Sequence, residues 1–297
     1  MSVILPPDLP ARAALIAEGV EALPAPALDA PGRRLEIAIF NLMPKKLETE
    51  QQLARVLGRA AGAVSITLAA PNGAVAKNAP EGHMDRFYRR WRDVRTSAFD
   101  AVIITGAPIE TLPFEDVAYW GEMTEILDWI RDGDMPLLSL CWGAQAALYR
   151  YYGVPKHELK EKRFGVFPHR LADPSSPFLQ ALDDTPTMPV SRWTETREAD
   201  IANLPHLQSL LVSEEAGLGA LVDERLGHLH VLNHFEYDAL TLDAEYRRDV
   251  ANGDPIAPPR NYYPDDDPSR PPQQTWRANA QAFYGNWVRW LLSRKFG

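Results

Sequence analysis

The sequence predicts an α/β fold: a mostly parallel sheet with helices on both faces. Three observations carry this prediction. The first is a set of short runs, LEIAIF at 35–40, VSITL at 64–68, AVII at 101–104 and PLLSL at 136–140, most of them apolar throughout. Strands buried on both faces read in this continuous way, where a half-solvated strand would alternate. The second is that segments of helical character separate these runs, the pattern of strand–helix–strand units. The third is an ordinary globular composition, 45% hydrophobic and 24% charged over 297 residues, which can bury a full core.

Taken in order, residues 1–33 are rich in Pro and Ala without a sustained period, and read as an arm on the surface. Residues 34–297 read as a single α/β domain that includes the C-terminal helix. Strand 35–40 runs into the polar loop NLMPKK, and a helix follows with Thr49 as cap, Gln52 three residues on, and Leu53, Val56, Leu57 and Ala60 on one face. After strand 64–68 comes a basic amphipathic stretch, with Phe87, Trp91 and Val94 among Arg89, Arg90 and Arg92. Strand 101–104 ends in TGAP, and a helix over 117–130 leads to strand 136–140. The second half predicts strands near 164–167, 209–212, 219–222 and 228–232, partly antiparallel. The Pro- and Asp-rich segment 254–274 reads as a fixed surface crossing, and a last helix over 276–292 carries Phe283, Trp287, Trp290 and Leu291.

A net charge of -9 argues against a nucleic-acid partner, although one basic patch could hold a phosphate. No apolar run approaches the roughly 18 residues of a membrane span, and the N-terminus lacks the basic-then-apolar order of a signal peptide. The expected location is the cytoplasm. Nothing in the composition calls for a bound cofactor or metal, and the size is compatible with a homodimer.

The chain has one cysteine, Cys141, so it forms no internal disulfide. A lone cysteine is more often a buried inert thiol than a nucleophile. Its position reverses that expectation. Cys141 ends the run LLSL and opens WGAQAAL, the strand-to-helix turn of a nucleophile elbow, where small neighbours let the side chain stand above the sheet. A helix N-terminus favours the anionic form of a thiol placed there, and its first amides can receive an oxyanion.

A nucleophile needs a base, and the base needs an orienting group. In HLHVLNHFE, His234 stands just past a strand with Glu236 two residues later, which in an extended chain points the same way. Two rival readings of the stretch are a polar strand face filled by three histidines and an H-x-H metal site; the nearby carboxylates lack ligand spacing for the latter.

The phrases LCWGAQ and HFE resemble the Cys-x-Gly-x-Gln and His-x-Glu of class I glutamine amidotransferases, whose fold is flavodoxin-like. Closer still, NLMPKKLETE, ITGAPIETLPFEDVAYW, CWGAQAALY, LKEKRFGVF, SRWTE and RNYYPDDDP are similar to the homoserine O-acyltransferases of methionine biosynthesis, and the likeness runs from about residue 6 to residue 292. The resemblance implies a ping-pong reaction in which Cys141 takes an acyl group from acyl-CoA, the co-substrate, and passes it to the hydroxyl of L-homoserine. It implies the amides of Trp142 and of the Gly106–Ala107 loop as oxyanion donors. It further implies Lys162, Ser191 and Arg248 as homoserine-binding residues, and Lys46 as a lysine near the site. At Glu110, glutamate goes with acetyl transfer and glycine with succinyl transfer, so acetyl-CoA is the expected donor, with succinyl-CoA the alternative. Two positions depart from the pattern: Trp193 and Phe235 stand where relatives carry His and Pro. The competing functions are a glutaminase-type hydrolase or amidotransferase and a non-catalytic ligand-binding member of the same fold.

Overall fold

The computed structural model describes residues 1–27, 33–72 and 78–297. In chain order the strands are β1 (Ser2–Leu5), β2 (Ala22–Pro24), β3 (Arg34–Phe40), β4 (Ala63–Ala70), β5 (Tyr88–Arg90), β6 (Ala101–Ile104), β7 (Leu137–Leu140), β8 (His157–Pro168), β9 (Arg170–Leu171), β10 (Thr187–Glu195), β11 (Gln208–Ser213), β12 (Gly217–Asp223) and β13 (His228–Val231). The helices are α1 (Pro10–Ala17), α2 (Lys46–Gly58), α3 (His83–Phe87), α4 (Trp91–Val94), α5 (Trp120–Asp132), α6 (Trp142–Tyr152), α7 (Glu198–Ile201), α8 (Thr241–Ala251) and α9 (Arg277–Phe296).

One sheet holds eleven of these strands in the order β2-β1-β4-β3-β6-β7-β13-β12-β11-β9, with β5 also paired to β4. It is parallel from β2 to β13 and antiparallel from β13 to β9. The mixture matches the sequence reading of a parallel first half and a partly antiparallel second half.

The continuous apolar runs are explained by burial on both faces. In β3, Leu35, Ile37 and Ile39 enter the core shared with α1, α2 and α9, while Ala38 and Phe40 enter the core under α5 and α6. In β6, Ile103 faces the first core and Val102 and Ile104 face the second. The last helix, with its N-cap residue Trp276, seals the first face through Phe283, Trp287 and Leu291, all of them buried.

Three expectations need correction. Residues 1–33 are not a surface arm: β1 is buried and joins β4 in the main sheet, and α1 packs on α2. Part of that reading, residues 28–32, lies outside the described residues. Thr49 does not cap α2, because the helix starts at Lys46, one turn earlier. The helix expected over 117–130 starts at Trp120, after a single 3-10 turn at Phe114–Asp116.

A two-stranded antiparallel ribbon, β8 with β10, stands outside the main sheet. The sequence reading found β8 only in part and missed β10. The Pro- and Asp-rich crossing is stitched to this ribbon: Arg260 N–H donates to Phe164 O at 3.0 Å and Val166 N–H to Arg260 O at 2.9 Å. The approach is close enough that a Cβ on Gly165 would lie 2.3 Å from the Arg260 carbonyl oxygen, so only glycine fits there.

Candidate active site

The carboxyl ends of β3, β6, β7 and β13 lie side by side, and their loops surround a cavity of about 440 Å³. Parallel α/β sheets bind ligands at this edge. Cys141, His234, Glu110, Lys162, Ser191 and Arg248 all line the cavity. The structure thus brings together residues up to 138 positions apart in the chain.

Cys141 joins β7 to α6 with φ 49° and ψ -117°, a strained conformation for a residue other than glycine. Strain of this kind persists only where the surroundings enforce it, and it is characteristic of functional turns. Here the Cys141 amide donates to Val231 O at 2.7 Å, tying the turn to β13. The next residue but one must be small, since a Cβ on Gly143 would lie 2.6 Å from the Thr105 carbonyl oxygen. Gly106 closes the other side, where an added Cβ would be 3.1 Å from Cys141 Cβ. The thiol is therefore half-buried between the β6 loop and the N-terminus of α6, whose first amides have no intrahelical acceptor.

His234 Nδ1 lies 2.7 Å from Glu236 Oε1, and both side chains are buried. A carboxylate only accepts, so Nδ1 carries the proton and Nε2 is left for the cysteine. The local geometry differs from the expected one: residues 232–236 form a turn and not an extended strand, with Tyr237 N–H donating to His234 O at 3.4 Å. The Tyr237 ring stacks on the imidazole at 4.1 Å between centroids and 16° between planes, and Tyr284 OH donates to Glu236 Oε2 at 3.4 Å. Burial pushes the His234 pKa down, but the Glu236 carboxylate and the Cys141 sulfur outweigh it and hold the imidazole well above its ordinary value. The other two histidines of the stretch are apart from this pair: His230 Nδ1 lies 2.8 Å from Ser139 Oγ, and burial drives His228 and His230 to about 4 and about 3.

Lys162 and Ser191 meet at a carboxylate that the sequence reading did not single out, Glu245 on α8. Lys162 Nζ is 3.4 Å from Glu245 Oε2 and 3.1 Å from Asp249 Oδ2, and Ser191 Oγ also donates to Glu245 Oε2. Tyr237 OH donates to Glu245 Oε1 at 3.1 Å, linking this cluster to the ring stacked on His234. Arg248 is half-exposed at the rim, with Nε donating to Asp249 Oδ1 at 2.7 Å.

Glu110 faces the cavity and, among the described residues, forms no ion pair. Thr194 Oγ donates to its Oε2 at 3.1 Å, and the Trp193 and Thr194 amides also support it. Burial raises its pKa, against the pull of these donors and of the nearby Arg192 guanidinium. Trp193 lines the cavity from a bulge in β10, where the pairing with β8 slips between Arg192 and Thr194.

Lys46 is neither a loop charge in solvent nor a cavity residue. It is 3% exposed, donates through Nζ to Asn41 O, and lies 5.6 Å from the Tyr88 ring centroid. Burial lowers its pKa to about 8, with Glu50 opposing. Its neighbour Lys45 lines the cavity instead.

Fold and site together define an α/β enzyme class with a cysteine at a strand–helix elbow and a histidine–carboxylate pair beside it. The family model described as HTS, homoserine O-succinyltransferase, matches residues 2–296, and the chain belongs to this acyltransferase family. It is 46% identical over 289 residues to the homoserine O-acetyltransferase of Chelativorans sp. (strain BNC1), covering 97% of this chain and 93% of the relative. The homoserine O-acetyltransferase of Allorhizobium ampelinum is also 46% identical, with 97% and 94% covered. Among solved structures, a glutamine amidotransferase from Thermotoga maritima superposes with a TM-score of 0.54 at 15% identity, covering 88% of this chain and 96% of that one. That likeness extends to the fold.

Proposed function

We propose that this protein is a homoserine O-acetyltransferase of methionine biosynthesis, which moves an acetyl group from acetyl-CoA through a Cys141 thioester to the hydroxyl of L-homoserine. The observation that carries the reading is that Cys141, Glu110 and His234, the last backed by Glu236, meet in one cavity.

Cys141 Sγ attacks the thioester carbonyl, and the carbon–sulfur bond to CoA breaks. The CoA sulfur leaves with the proton that His234 held. The amides of Trp142 and of the Gly106–Ala107 loop receive the oxyanion. Acylation removes the charge on Cys141, one of the causes that hold the imidazole protonated, while burial remains. His234 can then act as a general base on the homoserine hydroxyl, whose oxygen attacks the acetyl carbonyl and expels Cys141. Glu236 fixes the tautomer and offsets the imidazolium charge.

The acceptor is an amino acid with one cationic and one anionic end. Glu245, held by Lys162, Ser191 and Tyr237, offers a carboxylate for the ammonium group. Arg248 at the rim offers a planar fork for the carboxylate, and Lys162 adds a second cation. A cytoplasmic location belongs to the same proposal, because the single thiol must stay reduced to react.

The succinyl donor is the second reading, favoured by the description of the family itself. Glu110 argues against it. The distal carboxylate of succinyl-CoA would meet a like charge in a partly dry cavity, and a tenfold preference needs only about 1.4 kcal/mol. Comparing kcat/KM for the two donors tests this: wild type should prefer acetyl-CoA and Glu110→Gly should move towards succinyl-CoA. A wild type that prefers succinyl-CoA overturns the donor assignment.

A further inference from the structure

Glu110 sits on a loop after β6, and loops are mobile unless something fixes them. A carboxylate that sorts donors by like-charge opposition must be held in place. Three side chains from outside the loop do this. Thr194, 1% exposed on β10, donates its hydroxyl proton to Glu110 Oε2 at 3.1 Å. Gln145, 4% exposed on the second turn of α6, donates through Nε2 to Thr194 Oγ at 3.0 Å. The Thr194 hydroxyl also lies 3.1 Å from Gln145 Oε1; with Gln145 Nε2 donating to its lone pair, its single proton goes to the Glu110 carboxylate, the stronger acceptor of the two. Lys156, just before β8, donates through Nζ to the backbone carbonyls of Glu110 and Leu112 and lies 4.4 Å over the Phe114 ring. The loop is thus held at its side chain, at its backbone and at the aromatic residue that follows.

Two further features fit the same picture. The bulge at Trp193 breaks the alternation of β10, and its outcome is that Ser191 faces the acceptor cluster while Thr194 reaches Glu110. Behind them Arg192 is fully buried; among the described residues its guanidinium bonds to the carbonyls of Thr194 and Ala216, and its Nε has no partner. A guanidinium in such a place favours a neighbouring group that stays anionic.

We infer that Thr194 and Gln145, with Lys156, are positioning residues that set donor choice by holding the Glu110 carboxylate in the cavity. The ribbon β8–β10 is then the gauge of the site, since one strand presents Ser191 to the acceptor cluster and Thr194 to the donor-selecting carboxylate. This inference rests on the acetyltransferase reading and deepens it.

The test is the ratio of kcat/KM for acetyl-CoA to that for succinyl-CoA, at saturating homoserine. Thr194→Val should lower the ratio about tenfold, the scale of one hydrogen bond to a charged group. Thr194→Ser, which keeps the hydroxyl, should retain it, and Lys156→Met, at a half-exposed position, should lower it less. In a Glu110→Gly background Thr194→Val should leave the ratio unchanged, because the group it positions is gone. The inference is overturned if Thr194→Val and Lys156→Met both keep the wild-type ratio. It is equally overturned if Thr194→Val lowers kcat/KM for both donors alike, or if its effect persists in the Glu110→Gly protein. Failure of the underlying reading looks different: the wild type would make no O-acyl-homoserine from either donor.

Discussion

His234 and Glu236 are both buried and bonded at 2.7 Å, and the physics of that contact predicts that they act as one unit. His234→Ala and Glu236→Ala should each impair acyl transfer, and the double variant should cost far less than the product of the two losses. Steady-state kinetics of the four proteins checks this, and multiplicative losses would contradict it. At this scale the sequence was most legible where chemistry and punctuation coincide. Cys141 was visible because an apolar run met a small-residue helix start, and His234 because a carboxylate followed two places on. Glu245 was not visible. It is one of three acidic residues in α8, and which of them faces the cavity depends on how the helix packs. The two adjacent lysines of the MPKK loop show the same limit. A helix start shifted by one turn decides that Lys46 goes into the interior and Lys45 into the cavity.

The elbow is an element-scale device: β7 must end and α6 must begin within one residue, with α6 pressed against the end of β6. Gly143→Ala would place a methyl group 2.6 Å from the Thr105 carbonyl oxygen and 2.9 Å from Ile104 Cγ2. Neither neighbour can yield easily, since both sit at the end of a buried strand. The variant should lose about 1–3 kcal/mol of stability, read as a lower urea midpoint. An unchanged midpoint would mean that α6 is free to slide, and the elbow argument would fall. Elements were legible where both faces of a strand are buried, as in β6, whose bounds match the expected run. β1 was lost because three apolar residues between a serine and two prolines carry no period. β10 was lost because Pro189, Arg192 and the bulge at Trp193 break the pattern of a strand.

Across the whole molecule the buried histidines shape the response to acid. Burial lowers His169 and His228 to about 4 and His230 to about 3, each below the ordinary value of about 6.5 expected in the unfolded chain. Below pH 6.5 the unfolded chain therefore takes up protons that the folded chain refuses, and stability falls as pH drops from about 6.5 towards 4. Each histidine contributes at most about 1.4 kcal/mol per pH unit to that slope. His234 acts in the opposite direction: its raised pKa adds stability that is full below about pH 6.5 and is lost as pH rises through its folded value. Urea midpoints should be lower at pH 5 than at pH 7, and His228→Gln should show a shallower decline. Equal midpoints at the two pH values would contradict the neutral burial of these rings.

The alternation of strands and helices made the parallel half of the sheet readable as a whole. The ribbon β8–β10 and the crossing at 254–274 were not, because the ribbon pairs residues 19 to 38 positions apart, the crossing meets it across about 95 positions, and neither leaves a local period. The central claim remains that acyl transfer passes through a thioester on Cys141. The direct measurement is intact-protein mass spectrometry after incubation with acetyl-CoA alone and then with L-homoserine. The account predicts one acetyl adduct that is absent in Cys141→Ala and discharged by homoserine as O-acetyl-L-homoserine. An adduct that survives in Cys141→Ala, or full activity of that variant, would contradict it.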